Sequence, residues 1–517
     1  MNAPFSRRRF LAEVSQGTLL ATIGPALAAE LGITSPALAE DAPGALSFGK
    51  MEALVCFMQE TQVEKLQSGL TSRLRSGTSL KQLVAAGALA NARTFGGEDY
   101  IGFHTLMALS PAWKMAGSLP AQQAALPVFK VLYRNTHRIQ ENGGREDEVL
   151  HTVTTAPGQP TAAQLHEAVR SKDTAQAEQL FAAMVGQDKD QAFNALLECV
   201  QDDTEVHRTV LPYRAWDLLD VVGQEHAHTL LRQSLRYCLQ AEGRRRPEWD
   251  LHAKVLTGLL DEHKLLGRDP GTRAAEDAFV EKLSHTIFSS SPEAAAGAVA
   301  AALAEGFDPA EIGEALSLAA NQIVLRDRGR PPEWEFTGKP TGSVHGDSIG
   351  VHASDSVHAW RNLAHASHGR NSFACLILGA WQIARDREGS RQPFLTWEPL
   401  PSKRQVGTIT AKEPAPLLAE LEAMIRQNMQ SHAGAVVQRY SLLGHAPEPV
   451  FQLLLKYAIS EDGALHAEKY YQTVWDEFHR TRPAFRWRHL TALARVTASE
   501  YGRPAPGQAE ARELLAV

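Results

Sequence analysis

Cysteine is scarce in this chain. Four occur among 517 residues, at Cys56, Cys199, Cys238 and Cys375, and none belongs to a CxxC pair. That spacing excludes a zinc ribbon, an iron–sulfur ligand set and covalent haem attachment through CxxCH. It leaves non-covalent haem on a histidine open. One or two disulfides are compatible with an oxidising compartment, but Cys238 and Cys375 sit inside apolar helical runs and read as buried thiols.

Other absences narrow the function classes. There is no phosphate loop GxxxxGK[ST] and no GxGxxG following a strand, so ATP and NAD(P) chemistry lack support. A net charge of −7 lacks the clustered basic excess that phosphate binding requires, which argues against a nucleic-acid partner. No apolar run approaches the roughly 18 residues of a membrane span. What remains is an ordinary globular composition, 44% hydrophobic and 21% charged.

The first residues read as an address. Ser6-Arg7-Arg8-Arg9-Phe10-Leu11 precedes a mildly apolar stretch and two A-x-A cleavage candidates, Ala26-Leu27-Ala28 and Ala37-Leu38-Ala39. The pattern resembles a twin-arginine signal. It predicts a signal peptide over residues 1–39, the twin-arginine export machinery as a partner, and a periplasmic or extracellular location. That route carries folded passengers, many with a cofactor already inserted.

Apolar residues recur at three- and four-residue spacing through the rest, for example Ala177, Leu180, Phe181, Met184 and then Phe193, Leu196, Leu197, Val200. Alternating strand patterns are nearly absent, and alanine-rich stretches such as Ala294 to Ala304 favour helix. The expected fold is all-α, one large domain over 40–517. Two Gly- and Pro-rich segments, 326–350 and 386–416, read as long functional loops.

A repeat organises the helices. Gly102-Phe103-His104 is followed by Ala112-Trp113, Glu205-Val206-His207 by Ala215-Trp216, and Gly350-Val351-His352 by Ala359-Trp360. A second helix follows each tryptophan. These are repeated hairpins at about 95–140, 200–240 and 345–385, with a weaker copy at about 250–290, where His252 is present and Leu260 replaces the tryptophan. The irregular spacing points to a closed bundle or toroid of hairpins rather than a regular solenoid.

Equivalent positions in equivalent hairpins place His104, His207, His352 and, as the weaker member, His252 around one cavity. Imidazole is a common ligand of iron, copper and zinc, so the expected site is one transition metal, iron or copper before zinc. Tyr213 could donate a proton there, and Asp355 could act as a carboxylate beside the imidazoles. A Ser354 or Ser356 triad with His358 and Asp355 is disfavoured, because triad members normally converge from separate elements. The competing reading of the His–Trp repeat is packing alone, with His at a helix start and Trp filling the bundle.

The strings Gly350-Val351-His352-Ala353-Ser354-Asp355-Ser356-Val357-His358-Ala359 and Gly102-Phe103-His104-Thr105 resemble the histidine-bearing helix starts of questin oxidase-like proteins. The resemblance covers short motifs only and implies a largely helical fold with an oxidative, His-lined cavity. The chain departs from that pattern in its export signal, which puts a reaction dependent on NADPH in doubt. The expected function is therefore an exported metal-dependent oxidoreductase acting on a small or aromatic substrate. Two other classes fit the same features. One is a periplasmic α/α-toroid lyase or glycosidase, with Trp334, Trp397 and Tyr440 stacking on sugars. The other is a non-enzymatic helical-repeat binding protein, whose histidines would lie apart.

Overall fold

Twenty-three α-helices account for most of residues 44–517, the part described by the computed structural model, and the extended pairings among them are isolated bridges. The fold is all-α, and Phe48–Val517 form one compact unit. The expected signal peptide at 1–39 lies outside the described residues. No described helix is long and apolar enough to cross a membrane.

Four hairpins carry the architecture. Their first helices are Tyr100–Gly117, Val206–Val222, Ile349–Ala366 and His466–Arg480, here named by the histidine near each start: the His104, His207, His352 and His466 helices. Their second helices are Ala125–Glu141, Ala227–Glu242, Arg370–Gly389 and Trp487–Glu500. Each first helix packs on its own second helix. The first helices also pack on one another in cyclic order, His104 on His207, His207 on His352, His352 on His466 and His466 on His104.

The four run parallel. Lys114 Nζ lies 2.9 Å from Asp217 Oδ1, the Tyr213 hydroxyl 3.3 Å from His358 Nε2, and Thr473 Oγ1 2.9 Å from Asp355 Oδ1. Every one of these pairs joins positions at similar depth from their helix starts. The shared face follows offsets of 0, 3, 7 and 10 residues from each histidine, the spacing that keeps one stripe of a helix turned to a common axis. Along it stand His104, Met107, Pro111 and Lys114; His207, Val210, Arg214 and Asp217; and His466, Lys469, Thr473 and Asp476.

Two of the repeated tryptophans pack between helices. Trp216 stacks on Phe193 at 4.1 Å, and fully buried Trp360 donates from Nε1 to Gln382 Oε1 on the second helix of its hairpin, 2.8 Å away. The helix Glu248–Glu262, expected to open a fourth repeat, instead packs on the outside, against Arg370–Gly389 and Pro292–Ala304. Of the two expected loops, 386–416 is more helical than its prolines suggest. Arg370–Gly389 runs into it, Lys403–Thr408 forms a turn within it, and Pro414 opens the helix Pro414–Arg426, a first-turn position where a missing N–H costs nothing. The four cysteines are free thiols.

Candidate functional site

Parallel packing gathers four helix starts at one end, and a histidine stands in the first turn or so of each. Three starts are capped by side chains. Asp99 accepts from Gly102 N at 2.6 Å, Glu205 from His207 N and Arg208 N at 3.0 Å each, and Ser348 from Val351 N at 3.4 Å. The fourth lacks such a cap. Ala464 and Leu465, before His466, adopt left-handed backbone angles, φ 47° and 67°. That strained turn, uncommon for residues with a Cβ, aims His466 inward.

The four imidazoles form two close pairs. His104 Nε2 lies 3.2 Å from His207 Nε2, and His352 Nε2 lies 3.1 Å from His466 Nε2. Between pairs, the ring centroids of His104 and His466 are 5.3 Å apart and those of His207 and His352 are 6.1 Å apart. The structure thus brings together His104, His207 and His352, and adds His466. Among the described residues, no three His, Cys, Asp or Glu side chains already close on one point in a metal-holding arrangement.

Hydrogen bonds fix which nitrogen faces inward. His104 Nδ1 donates to the Tyr100 carbonyl at 2.6 Å, His207 Nδ1 to Glu205 Oε1 at 2.5 Å, and His466 Nδ1 to the Ala464 carbonyl at 3.1 Å. In each neutral ring the Nε2 lone pair is then left toward the cluster. For His104 and His207 two lone pairs face each other at 3.2 Å, an arrangement that only a cation or a proton between them relieves.

Electrostatics favour neutral rings. Burial, and next the Lys469 ammonium, hold His104 and His466 well below the usual imidazole range and push His352 down to about 3. Four helix N-termini add positive potential of the same sense. Burial lowers Lys469 itself to about 8. Burial would raise Glu205, but the hydrogen bonds from His207 and Tyr237 hold it at about 2. Tyr100, 61% exposed, forms the rim, its ring 4.5 Å from His104 and 5.5 Å from His207.

The remaining expected residues lie elsewhere. His252 is buried, its Nε2 3.0 Å from the Gln201 carbonyl and its ring beside Trp381. Its helix sits outside the ring of four, so it does not join the cluster. Tyr213 lies about two turns below the imidazoles against His358, with its phenol pushed up by burial. Asp355 is buried one turn below His352, accepts from Thr473, and is raised by burial against the opposing pull of Lys469 and Arg214. Gly346-Asp347-Ser348-Ile349-Gly350 has the spelling of a nucleophile elbow, but Ser348 caps a helix and no strand precedes it. Tyr440 is buried against His445 and Trp487, whereas Trp334 is 56% exposed.

His466 is the residue that sequence reasoning missed, although its signal was present. Trp475 follows it by nine residues, the same offset as in the first two units, but Val474 stands where those units have alanine. Comparison of the chain with protein families, curated proteins and solved structures finds no match.

Proposed function

We propose that His104, His207, His352 and His466 hold one transition metal, iron or copper before zinc, in an exported oxidoreductase acting on a small or aromatic substrate. The observation that carries the reading is the pair of Nε2–Nε2 separations, 3.2 and 3.1 Å, among rings of which three, His104, His207 and His466, turn the Nε2 lone pair inward. Nitrogens bound to one metal at roughly 2.05 Å in tetrahedral directions stand about 3.3 Å apart, so each pair already spans one edge of such a polyhedron. A small inward movement of one pair closes the set.

The donors suit the metal. Neutral imidazole is the ligating form, and burial and Lys469 keep His104, His352 and His466 in that form at neutral pH. Glu205 acts from behind, orienting His207 by accepting from its Nδ1, as carboxylates behind metal-bound histidines do. A bound iron or copper would supply activation of oxygen or of the substrate at coordination positions that the four imidazoles leave free. This chain's residues set the rest. Tyr100 borders the entrance with an exposed aromatic face, and Asp355 and Lys469 place a buried acid and amine one turn beneath. The resemblance of the His104 and His352 strings to questin oxidase-like proteins supports an oxidative role, and the twin-arginine pattern supports insertion of the metal before export.

Elemental analysis of the folded protein tests the reading. It predicts about one transition metal per chain, lost in the double variant His104→Ala, His352→Ala. Metal far below one per chain after loading with Fe(II) or Cu(II), or content unchanged by the double variant, contradicts it.

A further inference from the structure

Below the imidazoles the axis of the four helices stays polar, which is unusual for the centre of a helical bundle. Lys469, Arg214 and Lys114 share the inward stripes with Asp355, Asp217 and Asp476. Polar side chains cost stability in such a place unless they are satisfied. Most find a partner. Asp217 receives Lys114 at 2.8 Å and Arg214 at 4.0 Å, Asp476 lies 3.4 Å from His358, and Asp355 accepts from Thr473 at 2.9 Å.

Lys469 does not. It is 3% exposed, and its ammonium makes no hydrogen bond or ion pair with a described residue. The neighbouring carboxylate in sequence, Glu468, is committed to Lys130 at 2.6 Å. Although burial pushes it down to about 8, the amine still carries its charge at pH 7. A buried cation without a partner is among the costliest groups a fold can keep, so this position calls for a counter-ion.

The ammonium is aimed at the cluster. Side chains of a helix lean toward its N-terminus, so the Lys469 stem rises from one turn below His466 toward the level of the imidazoles. After burial, its charge is what most holds His104, His352 and His466 below their usual range, which places it near all three rings. Four helix N-termini turn their positive ends toward the same place. Between the two histidine pairs, ring centroids stand 5.3 and 6.1 Å apart, so only an anion of a few atoms can pass to the amine.

We propose that the space with the four imidazoles above and Lys469 below is a binding site for a small monoanion, a carboxylate of formate size, held by the buried ammonium under four converging helix N-termini. The coupling of this anion to a metal rests on the proposed four-imidazole centre. Between a divalent ion on the imidazoles and the ammonium beneath, a monoanion would relieve the repulsion of like charges, so each ligand should favour the other. The anion site itself needs no metal, and it can be tested without one.

The measurement is binding of sodium formate to the metal-free full chain labelled at histidine, followed by NMR at constant ionic strength. The ring signals of His104 and His352 should move saturably, with half-saturation below about 50 mM, while that of His252 stays in place. Lys469→Met should weaken binding at least about tenfold, and Lys469→Arg, which keeps a buried cation, should hold it within about threefold. An unaltered His252 signal shows that each variant is folded. No saturable response in the unmodified protein up to about 200 mM formate overturns the site. So does undiminished binding in Lys469→Met, or a loss of the same size in Lys469→Arg, which would report packing rather than charge. In protein loaded with Co(II), formate should bind at least about tenfold more tightly than in the metal-free chain, and equal affinity overturns the coupling. Failure to take up metal contradicts the reading of the imidazoles and leaves the metal-free result as it is.

Discussion

The two histidine pairs are nearly equal in separation, 3.2 and 3.1 Å, yet they are built differently. His104 and His207 come from two copies of one local design: an acidic N-cap, a histidine in the first turn or so, a proline inside the helix and a tryptophan nine residues on. Glu205 shows how much that design concentrates in one residue, capping the helix, accepting from His207 Nδ1 and accepting from the Tyr237 hydroxyl at 2.7 Å. His352 and His466 depend on tertiary context instead. Ser348 caps weakly, and His466 follows a left-handed turn. A Cβ on Gly346 would lie 2.2 Å from that of His466, so only glycine lets the chain before the His352 helix pass there. Glu500 holds this crossing by accepting from Gly346 N at 3.0 Å, its carboxyl pushed up to about 8 by burial. Similar geometry reached by unlike means indicates that the convergence of four imidazoles, rather than the hairpin motif, is what the fold maintains.

The largest expected difference between the halves is in acid sensitivity. A histidine held neutral in the folded state binds its proton only after unfolding, so stability is full above about pH 6.5 and falls as pH drops toward the folded values, by about 1.4 kcal/mol per pH unit for each such residue. His104 in the first pair, and His352 and His466 in the second, contribute to this loss. Urea unfolding of the metal-free protein between pH 7 and 4 should therefore flatten more in His352→Asn with His466→Asn than in His104→Asn. An effect no larger in the double variant than in His104→Asn would show that His352 and His466 are not both held neutral by the fold.

The caps should separate the halves next. Glu205→Ala removes a helix cap and the acceptors of His207 and Tyr237, and should cost about 2–3 kcal/mol in urea unfolding, whereas Ser348→Ala should cost about 1 kcal/mol or less. Comparable losses would mean that the first pair is no more locally determined than the second. A smaller, more local effect is expected from Lys469→Met. Removing the ammonium should raise the pKa of His104, His352 and His466 toward the ordinary range, read by NMR titration of the metal-free chain, with His252 unchanged.

The same contrast explains what could be read in advance. All-α architecture followed from periodicity and alanine content, because helical amphipathicity is a property of neighbouring residues. His104, His207 and His352 were legible because their caps, histidines and tryptophans recur within fifteen residues. His466 was not, since its position comes from a strained turn and from Gly346 and Glu500, groups distant in sequence. His252 stands in a similar local string, but nothing in that string records that its helix packs outside the ring. The polar axis was hidden for the same reason. Arg214, Asp355 and Lys469 look like surface charges until four helices turn them toward one another.

Metal binding by His466→Ala set against His252→Ala tests the account most directly, because the two residues differ in whether the fold brings them to the cluster. Metal-free protein titrated with Co(II), whose absorption bands report nitrogen coordination, should saturate at about one equivalent in the unmodified chain and in His252→Ala, and should lose at least about tenfold in affinity in His466→Ala. Equal binding by the two variants, or loss in His252→Ala alone, would contradict a four-histidine centre.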